Sequence, residues 1–145
     1  MIFDQENLFS DRQSVAGSAG SGIPSTNIID LGAPTFRRDV GLSQIPLRVQ
    51  VVEDVTGSGS AMIVSVETSD DETFTNNVSV IAVSPAVSVQ WLKAGYVFQD
   101  LHVPIGAVRR YLRLRYLVVN ASTTGGRVTA GIVLGHDFSN YRVNA

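Results

Sequence analysis

At 145 residues, with 44% hydrophobic and 17% charged residues, the chain has the length and apolar content of one ordered domain and too little charge for a disordered tail. A net charge of −2 argues against a general nucleic-acid binder, which needs a positive excess to displace counterions. The absence of cysteine excludes a disulfide scaffold and a thiolate metal site, and fits folding in a reducing cytoplasm.

The first dozen residues mix apolar Ile2, Phe3, Leu8 and Phe9 with acidic Asp4, Glu6 and Asp11. They lack the cationic start and apolar run of a secretory signal. No apolar stretch approaches the roughly 18 residues that span a bilayer, so a soluble protein without membrane contact is expected. Residues 14–25 are rich in Gly, Ser and Ala, with Gly17, Gly20 and Gly22, a composition that predicts a flexible connector. Two readings of the N-terminus stand side by side. It is a frayed end, or an arm whose Phe3, Leu8 and Phe9 anchor on a neighbouring molecule. The expected organisation is an arm and linker over residues 1–25 and a folded domain over residues 26–145.

Beyond the linker, strand-like runs follow one another with turn signals between them. Residues 26–31 (TNIIDL) close at Gly32 and Pro34, and residues 45–53 (IPLRVQVVE) alternate Leu47, Val49 and Val51 against Arg48 and Gln50. Residues 61–68, 78–83, 87–92 and 96–103 continue the series. Residues 109–134 look like an antiparallel hairpin: Leu112, Leu114, Tyr116 and Val118 alternate with Tyr111, Arg113 and Arg115, a small polar loop follows, and Val128, Ala130, Ile132 and Leu134 fall on one face. No window carries helical spacing beyond a weak turn near residues 86–92. The fold class predicted is all-β: a single-domain β-sandwich of jelly-roll type with about eight strands and an N-terminal arm. Apolar residues on both faces, as at Met62–Ile63–Val64, suggest an outer face partly covered by a loop or a partner.

Residues that could carry chemistry are sparse. His102 and His136 are far apart and form no His-x-His pair, so no metal site is expected. In an extended segment His136 and Asp137 would point to opposite faces. Asp70, Asp71 and Glu72 lack the spaced pattern of a calcium loop and read as a solvated hairpin tip. No serine sits in a nucleophile elbow, and the glycine-rich patches are not followed by the lysine of a phosphate cradle. A paired-carboxylate hydrolase is an option that nothing positively supports. The expectation is a protein that is not an enzyme, with no cofactor and no small-molecule substrate. Trp91, with Tyr96 and Phe98 nearby, is either core or a stacking platform for sugar, which makes a carbohydrate-binding β-sandwich module the alternative function. The stripe Tyr111, Arg113, Arg115 is either an ordinary solvated face or a contact surface for an acidic partner, to which Arg forks bind bidentately.

Residues 9–15 (FSDRQSV), 25–32 (STNIIDLG), 46–51 (PLRVQV), 66–71 (VETSDD), 110–116 (RYLRLRY) and 129–134 (TAGIVL) together resemble the capsid cement, or decoration, proteins of short-tailed bacteriophages. The resemblance covers most of the chain in order. It implies a jelly-roll-like structural virion protein on the outside of an icosahedral head, made in the host bacterial cytoplasm. Such a protein would sit across joints between major capsid protein subunits as a homo-oligomer, with a homodimer favoured over a homotrimer. Nucleic acid and membrane are not expected partners. The family brings no ligand-binding residues with it. The contact residues proposed from chemistry are Phe3, Leu8 and Phe9 for the arm and Tyr111, Arg113 and Arg115 for the shell.

Overall fold

The computed structural model describes residues 4–32, 44–99, 101–104 and 109–133. Among these residues there are ten β-strands and no α-helix: β1 Leu8–Ser14, β2 Gly22–Pro24, β3 Ile29–Asp30, β4 Ile45–Thr56, β5 Ala61–Ser69, β6 Ser79–Val83, β7 Val87–Ser88, β8 His102–Val103, β9 Tyr111–Val119 and β10 Gly125–Ile132. They form two antiparallel sheets, one ordered β1-β10-β4-β8 and the other β2-β9-β5-β6, with β3 added to β9 and β7 to β5. The protein is an all-β sandwich.

Alternation explains how the two sheets meet. Leu47, Val49, Val51 and Val55 of β4 and Val128 and Ala130 of β10 point inward from the first sheet. Met62, Val64 and Val66 of β5 and Leu112, Leu114 and Tyr116 of β9 meet them from the second, and all belong to one buried cluster. Each Val, Leu or Met among them contributes about 1.5–3 kcal/mol by leaving water.

Residues 109–134 do not form a hairpin. β9 pairs with β5 over nine residues, whereas β10 pairs with β1 and β4 in the opposite sheet. Their alternation is as expected, but the two apolar faces pack across the core instead of lying side by side in one sheet. The link between β4 and β5 likewise crosses from sheet to sheet, and β5 and β6 form a hairpin. These crossings meet at one end of the sandwich. There Thr123 Oγ1 donates to Val15 O at 2.7 Å and accepts from Gly17 N at 3.0 Å. Thr124 N donates to Thr56 O at 2.8 Å.

The expected arm and flexible connector are also revised. β1 lies in the first sheet beside β10, Phe9 and Val15 are wholly buried, and β2 is hydrogen-bonded to β9. A polar chain, buried at its Ser10–Tyr116 link, ties β1 to the second sheet. Ser10 Oγ donates to Gln13 Oε1 at 2.7 Å, so the Tyr116 hydroxyl, 2.8 Å away, must donate to Ser10. Gln13 in turn donates to Pro24 O and accepts from Thr26 N, at 2.8 and 2.9 Å. Burial pushes the Tyr116 phenol well above its ordinary pKa, which keeps it a neutral donor.

Several expected strands shrink. Residues 26–31 contribute only β3, the described part of residues 96–103 only β8, and residues 87–92 give β7 and then a single 3-10 turn, Val89–Trp91.

Candidate functional site

Directly opposed residues of an antiparallel pair share a face, so register defines the outer surface of the second sheet. One row across it is Arg113, Glu67 and Val80, and the next is Pro24, Arg115, Ser65 and Val83. A third runs Gly22, Leu117 and Ile63. An ion triad thus sits among apolar side chains on the side of the sheet away from the core.

The carboxylate of the triad is nearly buried. Glu67 has 4% of its side chain exposed and accepts from Arg113 Nε at 2.7 Å on one oxygen, while Arg115 Nη1 lies 3.5 Å from the other. The two arginines differ in surroundings. Arg113 is covered by Phe74, whose ring lies 4.1 Å from its guanidinium carbon, and only 18% of its side chain is exposed. Arg115 is 42% exposed. Residues 70–77 hold Phe74 in place. The Asp71 carboxylate accepts from the amides and hydroxyls of both Thr73 and Thr75, and these bonds hold it well below the usual carboxylate range. Asp70 accepts from Arg109 Nη1 at 2.8 Å and Asn77 Nδ2 at 2.9 Å. The acidic loop therefore organises itself around its own hydroxyls and amides. Its Asp70 and Asp71 carboxylates are already occupied, which is the physical content of the hairpin-tip reading. Among the described residues, no group of three or more His, Asp or Glu is placed to hold a metal ion.

The stripe expected from sequence is brought together on β9, but its members differ. Tyr111 is half-buried, its carbonyl accepts from Thr68 Oγ1 at 3.0 Å, and Arg110 lies 5.0 Å over its ring while forming a two-pronged pair with Asp30 at 2.9 Å. Arg113 is locked, and Arg115 is half open. The arm residues do not join this face. Phe9 is in the core, where it cannot reach a neighbouring molecule, and half-buried Leu8 lines a groove of about 480 Å³ together with Glu6, Ile28 and Glu72. Phe3, Leu134, His136 and Asp137 lie outside the described residues. His102 is half-buried on β8, opposite Pro46.

Trp91 departs from the core reading: it is 65% exposed, because its 3-10 turn inserts Val89 into the core instead. Tyr96 packs edge-on against buried Phe98 at 5.4 Å. Reasoning from sequence missed Glu67, Phe74, Val80, Val83 and Gly22. Parity on β5 places Glu67 with Ile63 and Ser65, away from Val64 and Val66; only the β5–β9 register puts it between two arginines.

The outermost strand of this sheet, β6, is uncharged and leaves Val80 and Val83 at 55% and 58% exposure, with Val78 just before it at 41%. The Bbp16 family model matches residues 9–132, from β1 through the last residue of β10. No curated protein matches the chain.

Proposed function

The chain belongs to the Bbp16 family, and on that premise we propose that it is a non-enzymatic structural virion protein. It binds the outer surface of an icosahedral phage capsid and cements neighbouring major capsid protein subunits. The family's name, which suggests a phage-related protein, supports this reading, as does the resemblance of the sequence motifs to phage cement proteins.

The observation that carries it is the outer face of the second sheet with its edge, β6. The core is closed without Val78, Val80 and Val83, yet these lie on, or just before, an edge strand that has none of the charges with which soluble proteins usually guard such edges. A protein surface is the cover that suits them. A homo-oligomer, a dimer in preference to a trimer, would touch two capsid subunits at once, and each second contact becomes intramolecular, so modest interfaces sum to firm attachment. The working place is the capsid exterior, after synthesis in the host cytoplasm.

The test is direct. Purified virions should contain the protein in stoichiometric amount by mass spectrometry, and shells assembled without it should rupture at lower temperature. Virions lacking it, or shells of unchanged heat resistance, would refute the proposal. A second reading, a carbohydrate-binding module, draws on the exposure of Trp91. A glycan array with the Trp91→Ala variant as control decides it.

A further inference from the structure

We propose that Arg115 is the anchor of the docking face, and that its ligand is an aspartate or glutamate side chain of the protein partner, received in an apolar surround. The inference rests on the docking reading above and adds the chemistry of what is docked.

Charge complementarity leads to it. Two guanidinium groups share one carboxylate, which leaves the triad with one positive charge, on a protein whose net charge is −2. Arg113 has spent its charge: its Nε–Oε2 contact to Glu67 is 2.7 Å and Phe74 covers its face. Arg115 has not. Its contact to Glu67 is 3.5 Å, too long for a good charge-assisted hydrogen bond, and it keeps a fork of donors with which to receive a second carboxylate. One surplus charge suits a single carboxylate and not a polyphosphate backbone, which calls for many.

The fork also packs against the backbone of β2, which limits where it can swing. A Cβ at Gly22 would fall 1.9 Å from Arg115 Nε, 2.6 Å from Cζ and 2.7 Å from Nη2, so the guanidinium occupies the space that a side chain at Gly22 would fill. The β2–β9 register, Gly22 opposite Leu117 and Pro24 opposite Arg115, sets that spacing. Gly22 is therefore a positioning residue, present for room. A pre-positioned guanidinium gives up less conformational freedom on binding than a free one. Pro24, Ser65 and Val83 lie in the same row and Leu117 and Ile63 in the next, so a partner seated on this mostly apolar patch would exclude water around the ion pair.

The experiment measures attachment to purified shells lacking the protein, by co-sedimentation across a salt series, for wild type, Arg115→Gln, Arg115→Lys and Gly22→Ala, with melting temperatures recorded alongside. Arg115→Gln should weaken attachment roughly tenfold or more and flatten its salt dependence. Arg115→Lys should recover only part, since the fork is lost. Gly22→Ala keeps every charge but displaces the guanidinium, and should weaken attachment at an unchanged melting temperature. If wild type attaches and both Arg115→Gln and Gly22→Ala attach equally well, this inference is wrong and the docking reading survives. If wild type itself does not attach, both fall together.

Discussion

Phe9→Ala tests the largest difference between the expected and observed structures, the conversion of an arm into a strand of the sandwich. Phe9 is completely buried, within the same cluster as Leu47, Val49, Leu114 and Tyr116. Truncating such a phenylalanine costs about 3–5 kcal/mol, the transfer free energy plus the cavity left behind. At about 2.1 cal/mol/K per residue, a chain of 145 residues has an unfolding entropy of about 0.3 kcal/mol/K, so the melting temperature should fall by roughly 10–17 °C. Thermal melts by circular dichroism and urea titration both read this, and the urea m-value should stay unchanged because the folded state remains compact. Half-buried Leu8 provides the comparison, since Leu8→Ala should cost about half as much or less. A Phe9→Ala protein that melts with wild type but loses attachment to capsids would sink the reasoning, because that is how a detached anchoring arm behaves.

Other consequences are as specific. Tyr116→Phe removes the donor to buried Ser10 Oγ and should cost about 1–2 kcal/mol by urea titration, with no effect on the neighbouring β-pairing. Arg113→Gln leaves Glu67 buried with only the distant Arg115 as a charge partner, and should cost about 3 kcal/mol in the same assay. The folded-state pKa of Asp71 is depressed, so its contribution is fully present above its unfolded value of about 3.9 and is lost as pH falls below that. Amide protection factors at Thr73 and Thr75, with exchange corrected for its intrinsic pH dependence, should fall below about pH 4, and Asp71→Asn should abolish that fall. Gly126 has φ +120° and a Cβ there would fall 2.7 Å from Val55 Cα, so Gly126→Ala should destabilise by about 2 kcal/mol or more, visible as a lowered urea midpoint.

How the sandwich is connected could not be read from local pattern. Alternation in residues 111–118 and 127–132 states which side chains are buried, and each prediction of that kind for Leu112, Leu114, Tyr116, Val118, Val128 and Ala130 matches the structure. It does not state whether two successive strands lie side by side or face to face, since both arrangements bury the same residues. The same ambiguity hid β1 and β2. A Gly/Ser/Ala stretch is a flexible linker only when nothing holds it. Here Gly17 pairs with Thr123, and Gly22 gives up its side-chain space to Arg115. Small residues at these positions record close approach of neighbouring chains, which composition cannot separate from freedom.

Arg113 and Arg115 show the same limit at the level of the site. Two residues apart on one strand, of the same type and on the same face, they are equivalent in the sequence. What divides them is sequence-distant: a carboxylate 46 positions away in Glu67, an aromatic ring delivered by a loop built around Asp71, and a missing Cβ on β2. The buried carboxylate makes one arginine indispensable and needs the other only in part. A nearly buried carboxylate flanked by two cations is a poor stability device, since a well-packed apolar trio would serve the sheet as well or better. Its surplus charge gains a use if something outside the chain receives it. A Glu67→Leu, Arg113→Met, Arg115→Met triple variant separates the two explanations. It should fold at least as stably as wild type by urea titration and lose attachment to shells. If it attaches as wild type does, the triad has no role beyond the sheet it stands on.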